Sequence, residues 1–269
     1  MADILTTIVR RKAEEVEEAK QRISLETLKD RIHHLPPVRS MRKALAASST
    51  GVIAEFKRKS PSKGWMNPEA RVEDVVAAYS ANGAAALSVL TDKDFFGGSE
   101  EDLSTARSIV SLPILRKDFI IDAYQIYETR AMGADAMLLI AAALSPEQCR
   151  TFAKLAHEVG LEVILEIHRP EELAAYSENV DIVGVNNRNL GSFSTDPQQS
   201  QRLFDLLPKG ALPIAESGLK TPETACLMRR AGYRGLLVGE AFMATSDPGN
   251  ALKDYIGRLN DLMNTSERI

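Results

Sequence analysis

The chain has 269 residues, with 33 Lys or Arg against 37 Asp or Glu and a net charge of -4. That length suits one α/β barrel of roughly 250 residues plus an extension, and the charge balance excludes a general nucleic-acid binder. Cys149 and Cys226 are too few for a disulfide framework or a metal cluster, and both fall in stretches patterned as helix, so they read as structural. No run approaches the roughly 20 apolar residues of a membrane span, and the first residues lack the apolar core of a signal peptide. Glu14, Glu15, Glu17 and Glu18 are unlike a transit peptide, which is poor in acids, so a cytoplasmic protein with no membrane partner is expected.

From the start of the chain, Ile4, Leu5, Ile8, Val9, Ala13 and Val16 recur at helical spacing behind Asp3, a good N-cap. Ser24 opens a second short helix through Ile32, and Pro36 with Pro37 stops helix formation. This extension precedes the first strand, so it fits a plug at the bottom of a barrel, a cover over its top, or an oligomer contact.

From Val52 onward the pattern is regular. Apolar runs at 52–56, 84–90, 113–119, 134–140, 161–167, 181–186, 212–217 and 234–239 predict eight strands separated by helical segments. Gly83, Gly133, Gly160 and Gly232 precede four of the runs, each suited to a left-handed helix C-cap. Pro68, Ser145 with Pro146, Pro170, and Thr221 with Pro222 predict helix starts. Near-continuous apolar runs are what strands covered by helices look like. With eight units and no GxGxxG turn, the prediction is an α/β fold, a (β/α)8 TIM barrel, in a single domain over residues 1–269 of which 1–47 is an N-terminal helical extension.

The first strand runs directly into charge, as VIAEFKRKSPSKG. In a barrel strand alternate side chains face inward, so Ile53, Glu55 and Lys57 share that face, with the charged pair nearest the C-terminal mouth. Burying an acid and a base there is costly unless they pair with each other or with a ligand. The same stretch holds Arg58, Lys59 and Lys63, and such a run also fits a solvated loop or a nucleic-acid patch. Other polar residues tip the balance, because Lys117, Glu166, His168, Asn186, Arg188, Glu216 and Ser217 all fall at C-terminal strand ends, the face where barrel active sites lie.

Each of these has an ordinary alternative. Lys117 also fits a snorkelling surface lysine. Glu166 interrupts Val163, Ile164, Leu165 and Ile167, and a carboxylate in so apolar a run needs a partner or a raised pKa. His168 fits a satisfied strand-end histidine, and the four histidines show no metal-ligand spacing. Asn186 and Arg188 also fit a turn. Ser217 and Gly218 after the seventh strand, and Gly239 before EAFM after the eighth, predict a backbone cup for phosphate, with ordinary turn glycines as the alternative.

Taken together, EFKRKSPSKG, VLTDKDFFGGS, ILRKDFI, LEVILEIH, GVNNRNL, IAESG and LLVGEAFM, in order from residue 55 to residue 243, resemble the motifs of the indole-3-glycerol phosphate synthase family. The first 47 residues resemble the family's helical extension more loosely. The resemblance implies a phosphorylated small-molecule substrate, 1-(2-carboxyphenylamino)-1-deoxyribulose 5-phosphate, closed to an indole with loss of carbon dioxide and water. It implies no redox cofactor and no metal. Lys117 would be the general acid at the ribulose carbonyl, its pKa lowered if it is held among other cations. Glu166 would serve the dehydration with help from Glu55. Lys57 would hold the anthranilate carboxylate or steady the carbonyl region, and Asn186 would position the intermediate. Arg188 and Ser217 would complete the polar wall. Ser60, Gly218, Gly239 and the N–H of Glu240 would contact phosphate, with the Glu240 carboxylate pointing away from it. Phe96, Phe119, Pro61 and Leu190 would form the slot for the aromatic ring, and His168 is given no catalytic step. The extension would cover the barrel, so deleting residues 1–45 should weaken binding more than it disturbs the folded core. A monomer is favoured. Two readings from other classes remain: an aldolase forming an imine on Lys117, and a non-catalytic binding protein, which should have lost some strand-end acids and bases.

Overall fold

Each apolar run becomes a strand buried on both faces, because helices cover its outer side while the other strands' side chains fill its inner one. In the computed structural model, which describes residues 4–189, 191 and 194–265, the strands are β1 (Val52–Phe56), β2 (Ala86–Leu90), β3 (Ile114–Lys117), β4 (Ala136–Ile140), β5 (Glu162–Ile167), β6 (Ile182–Asn186), β7 (Leu212–Glu216) and β8 (Gly235–Val238). All eight are parallel and close into a barrel, β1 pairing β2 through Ile53 and Ala86 and pairing β8 through Val52 and Leu236. One inward residue from each strand, namely Ile53, Ala86, Leu115, Leu138, Ile164, Ile182, Ile214 and Leu237, joins a single interior cluster. The alternate residues, Val52, Ala54 and Phe56 in β1 for example, pack outward with the helices. Among the described residues no helix is long and apolar enough to cross a membrane.

The helices are α1 (Ile4–Arg22), α2 (Leu25–His33), α3 (Met41–Ala47), α4 (Val72–Ala81), α5 (Glu100–Ile109), α6 (Ala123–Ala131), α7 (Pro146–Glu158), α8 (Gln198–Leu203), α9 (Pro222–Ala231), α10 (Glu240–Met243) and α11 (Pro248–Thr265). Gly83, Gly133, Gly160 and Gly232 all have φ between 85° and 109°, the left-handed conformation expected of them. Ser145 and Thr221 cap α7 and α9, each followed by its proline. Pro68 does not open a helix, since α4 starts only at Val72 behind Arg71. Pro170 opens a 3-10 helix, Pro170–Ala175, in place of an α-helix. Asp3, the expected N-cap of α1, lies outside the described residues.

Two elements differ from the sequence reading. SPSKG forms a short antiparallel ribbon, Lys59–Ser60 against Gly64–Trp65, above the mouth of the barrel. The extension contains α3, a seven-residue helix capped by Ser40 and too short to show a clear period. Its placement settles which end the extension covers, for it covers both. Leu5 and Ile8 of α1 join the interior cluster from the mouth, while Met41 and Leu45 of α3 join it from below. Below is the N-terminal end of the strands, as the N–H of Arg42 on Glu162 Oε2 (2.9 Å) and of Arg39 on Asp135 Oδ1 (2.7 Å) shows. Between roof and floor the chain runs down the flank, where Ala19 and Leu28 pack on Tyr124 of α6.

Candidate active site

Glu55, the fourth residue of β1, is 4% exposed and lies 2.5 Å from the Lys57 ammonium. The acid and base of the first strand thus pair with each other at the mouth. Beyond them the basic run is sorted one residue at a time. Arg58 turns outward onto Asp102, at 2.6 and 2.9 Å, with its guanidinium 4.6 Å from the Phe56 ring. Lys59 donates to the Asp94 carbonyl at 2.8 Å. Cations committed to separate partners are not a nucleic-acid patch.

Lys117 ends β3, with its ammonium 2.9 Å from Glu166 Oε2 on β5 and 3.8 Å from Glu216 Oε2 on β7. Burial pulls the ammonium's pKa down, but Glu166, Glu216 and Glu55 outweigh it and hold the pKa above the usual lysine value. The lowered pKa expected among cations is therefore corrected: the neighbours that decide it are carboxylates. Glu166 is equally buried, and burial alone would raise its pKa. Lys117, His168 and the Asn186 side chain reverse that and hold it ionised, at about 2.

Glu216 goes the other way. It is 1% exposed, and neither carboxyl oxygen has a hydrogen-bond partner among the described residues. Burial and the neighbouring Glu166 charge push its pKa well above the carboxylate range, against the pull of Lys117. Sequence reasoning placed Glu216 at a strand end but gave it no role. Gly184 on β6 was missed altogether: a Cβ there would lie 2.2 Å from Glu216 Oε1, so only glycine leaves room for this carboxyl.

Asn186 accepts the Arg188 N–H at 3.0 Å, so the turn reading and the site reading of NNRN both hold. Arg188 reaches Ser62 Oγ at 2.5 Å and Glu240 Oε2 at 3.3 Å. Glu240 lines the cavity, and its carboxylate has Lys220 at 3.3 Å and Lys63 at 3.8 Å from Oε1. Burial raises its pKa, and Lys220, Lys63 and Arg188 more than reverse this. Ser217 (φ 64°) is the one non-glycine in the left-handed region among the described residues, and Gly218 follows at φ 75°. Two successive residues in that region turn the chain sharply at the end of β7.

Phe96 and Phe119 lie with ring centroids 6.0 Å apart and planes tilted by 37°. Leu5 and Ile8 of α1 and Pro61 complete the apolar wall. One cavity is lined by Glu55, Lys57, Ser60, Pro61, Phe96, Lys117, Phe119, Glu166, Asn186, Arg188, Ser217, Gly218, Gly239 and Glu240, joined by Glu216 and Lys220. Leu190, expected in the ring slot, lies outside the described residues. His168 does not line the cavity; its ring nitrogens lie 3.6 Å from Glu166 and 3.7 Å from Glu172.

The cavity brings a lysine and two buried carboxyls, Glu166 with its pKa lowered and Glu216 with its pKa raised, together beside an apolar slot, with a cluster of basic side chains near Glu240. No strand-end acid or base has been lost, as a degenerate barrel would require. A lysine held protonated is poorly suited to attack a carbonyl, which counts against the aldolase reading.

The indole-3-glycerol phosphate synthase family profile matches residues 5–255. The indole-3-glycerol phosphate synthase of Bacteroides thetaiotaomicron is 54% identical over 256 residues, covering 95% of this chain and 98% of the relative. That of Bordetella pertussis is 45% identical over 254 residues, covering 93% and 97%. Among solved structures, KGPDC from Streptococcus mutans superposes with a TM-score of 0.59 at 12% identity, covering 78% of this chain and 97% of that one. The 3-hexulose-6-phosphate synthase of Salmonella typhimurium also gives 0.59 at 12% identity, covering 80% and 99%. At such identities these two show the barrel fold alone.

Proposed function

The chain belongs to the indole-3-glycerol phosphate synthase family and closes 1-(2-carboxyphenylamino)-1-deoxyribulose 5-phosphate to indole-3-glycerol phosphate with loss of carbon dioxide and water; from that premise we propose how its side chains divide the work. The observation that carries the division is one lysine set between two buried carboxyls, 2.9 Å from Glu166 and 3.8 Å from Glu216, whose surroundings lower the pKa of the first and raise that of the second. Groups pushed apart in this way supply acid and base from the same functional group.

In the first step the ring carbon bearing the carboxylate attacks the ribulose C2 carbonyl, and the carbonyl oxygen takes a proton from Lys117. Phe96, Phe119, Pro61, Leu5 and Ile8 hold the ring over the carbonyl, which removes most of the entropic cost of folding the substrate onto itself. The carboxyl then leaves as carbon dioxide, its bonding pair returning to the ring. Lys57 holds that carboxylate beforehand. Because Glu55 shares the Lys57 ammonium, the grip on the departing group is moderate, and ground-state binding does not oppose its loss. In the last step the new hydroxyl leaves as water with a proton from neutral Glu216, and Glu166 takes a proton from the former ribulose C1. Two protons are given and one is taken, matching the one consumed when a carboxylate departs as carbon dioxide. Asn186 orients the intermediate, with Arg188 and Ser217 completing the wall.

Ser60 and the backbone N–H groups of Gly218, Gly239 and Glu240 receive the phosphate. Lys63, Arg188 and Lys220 surround the single Glu240 carboxylate and leave an excess of positive charge at that end. On the same reading the protein is a cytoplasmic monomer, which its two buried free thiols, Cys149 and Cys226, suit. Incubation with the carboxyphenylamino substrate should give indole fluorescence together with stoichiometric carbon dioxide; absence of both would sink the assignment.

A further inference from the structure

Lys12 occupies a position where an apolar residue belongs. The buried residues of α1 are Leu5, Ile8, Lys12, Val16 and Ala19, a single helical seam with one charge in its middle. It is 3% exposed, and lysine is almost never so deeply buried unless it is paired. Its ammonium lies 2.6 Å from Glu15, 3.0 Å from Asp92 and 2.9 Å from Asp118. Both aspartates are buried, at 0% and 3% exposure.

Each aspartate anchors a loop of the site. Asp92 accepts the N–H groups of Phe95 and Phe96, at 2.8 and 3.2 Å, and so sets the turn that presents Phe96. Asp118 directly follows Lys117 and accepts the N–H of Phe119 at 2.8 Å. Its other oxygen is held by Thr91 at 2.5 Å and Arg116 at 3.2 Å. One ammonium from the extension thus joins the two loops that carry the aromatic pair and the general acid. It does so from the same helix face that places Leu5 and Ile8 over the cavity.

We propose that Lys12 is a positioning residue of the reaction: by bridging Asp92 and Asp118 it locks the Phe96 and Lys117–Phe119 loops together and seats the roof helix over the substrate. The proposal rests on the assignment of Lys117, Phe96 and Phe119 given above. Lys12 touches no reacting atom; it acts through the separation and orientation of groups that do.

The test compares Lys12→Met, Asp92→Asn and Arg11→Ala in the full-length protein, by kcat, KM, thermal midpoint and the emission of Trp65. Trp65 is the only tryptophan and reports the Phe96 loop, since a Cβ on Gly97 would lie 2.8 Å from its ring. Lys12→Met should lower kcat about 10-fold or more and raise KM several-fold, because small misplacements of reacting groups act on that scale, and it should shift the Trp65 emission. Asp92→Asn keeps an oxygen for the Phe95 and Phe96 N–H groups while losing the ion pair, and should move the same quantities in the same direction by less. Arg11→Ala removes an exposed pair from the same helix to Asp94 of the same loop, 2.8 Å long, and should leave kcat near the parent value. A Lys12→Met protein that only melts earlier, with parent kcat and KM, would overturn the proposal. An equal kcat loss in Arg11→Ala would overturn it too, because any loosened helix contact would then suffice. If Lys12→Met fails to fold, Asp92→Asn decides, and unchanged kcat and emission there would reject the bridge. Lys117→Ala keeps the two ideas apart: near-parent activity in that variant means the site assignment is wrong, whereas an inactive Lys117→Ala beside an unimpaired Lys12→Met removes only the bridge.

Discussion

Glu166 and Glu216 reach one ammonium from neighbouring parts of the barrel wall, and their surroundings shift their pKa values in opposite directions. Glu166 has the lowered pKa, so its contribution to stability is present above the ordinary carboxylate value and is lost as pH falls through about 2. Glu216 has the raised pKa, so its contribution is present at low pH and is lost as pH rises through that raised value. If Glu216 delivers the proton to the departing hydroxyl, the alkaline limb of the rate profile contains its ionisation. Glu216→Gln should lower kcat by about 10², the scale of a general acid, and remove that limb. A variant keeping both kcat and the limb would assign the proton elsewhere. Lys117→Ala should cost about as much in kcat with a smaller change in KM, and borohydride should trap no substrate on the parent protein; a substrate-sized adduct on Lys117 would show imine chemistry instead. At this scale the sequence reveals charge wherever it interrupts an apolar run, as at Glu55 and Glu166. It does not reveal protonation, because the raised pKa of Glu216 depends on its burial and then on Glu166, 50 residues earlier in the chain. Nor does it reveal Gly184, where a Cβ would meet an oxygen of Glu216 on the adjacent strand.

Among elements, the eight strands were legible as near-continuous apolar runs, and at four of the junctions a left-handed glycine marks where the preceding helix ends. The ribbon was not legible, since its strands are two residues long and its chain reads as turn throughout. The β8–α10 junction was read from sequence as an anion cup, and nothing in the sequence marked it as a support for the acid of β1. A Cβ on Gly239 would lie 2.5 Å from Glu55 Oε1, so a side chain there disturbs two things at once. Gly239→Asp should raise KM sharply by adding charge and bulk where phosphate is received. Gly239→Ala adds no charge but should still lower kcat by displacing Glu55 and, through it, Lys57. Steady-state kinetics on the pair separates the effects; parent kinetics in both would remove this junction from the site.

For the molecule as a whole, the extension that sequence reading left at either end of the barrel is at both, and this changes what truncation should do. Removing residues 1–22 takes away Leu5 and Ile8 from the roof and leaves Asp92 and Asp118 without the Lys12 ammonium. It leaves the floor intact. Removing residues 1–47 also strips Met41 and Leu45, both 0% exposed, from beneath the interior cluster. Truncating one such side chain to alanine costs about 2–5 kcal/mol, and losing both opens the barrel floor to water, against a total stability of roughly 5–15 kcal/mol for a typical protein. Deleting residues 1–45 was expected to weaken binding more than it disturbs the folded core; with Met41 and Leu45 in the interior cluster, the loss of α3 should disturb that core as well. The shorter truncation should remain folded by circular dichroism, with a lowered thermal midpoint, a raised KM and a reduced kcat, while the longer one should lose its cooperative melting transition. A longer truncation that melts as sharply as the shorter would mean that α3 is not needed to close the barrel. A shorter truncation that turns over substrate at the parent rate would mean that the roof helix, with Leu5, Ile8 and Lys12, has no part in the reaction.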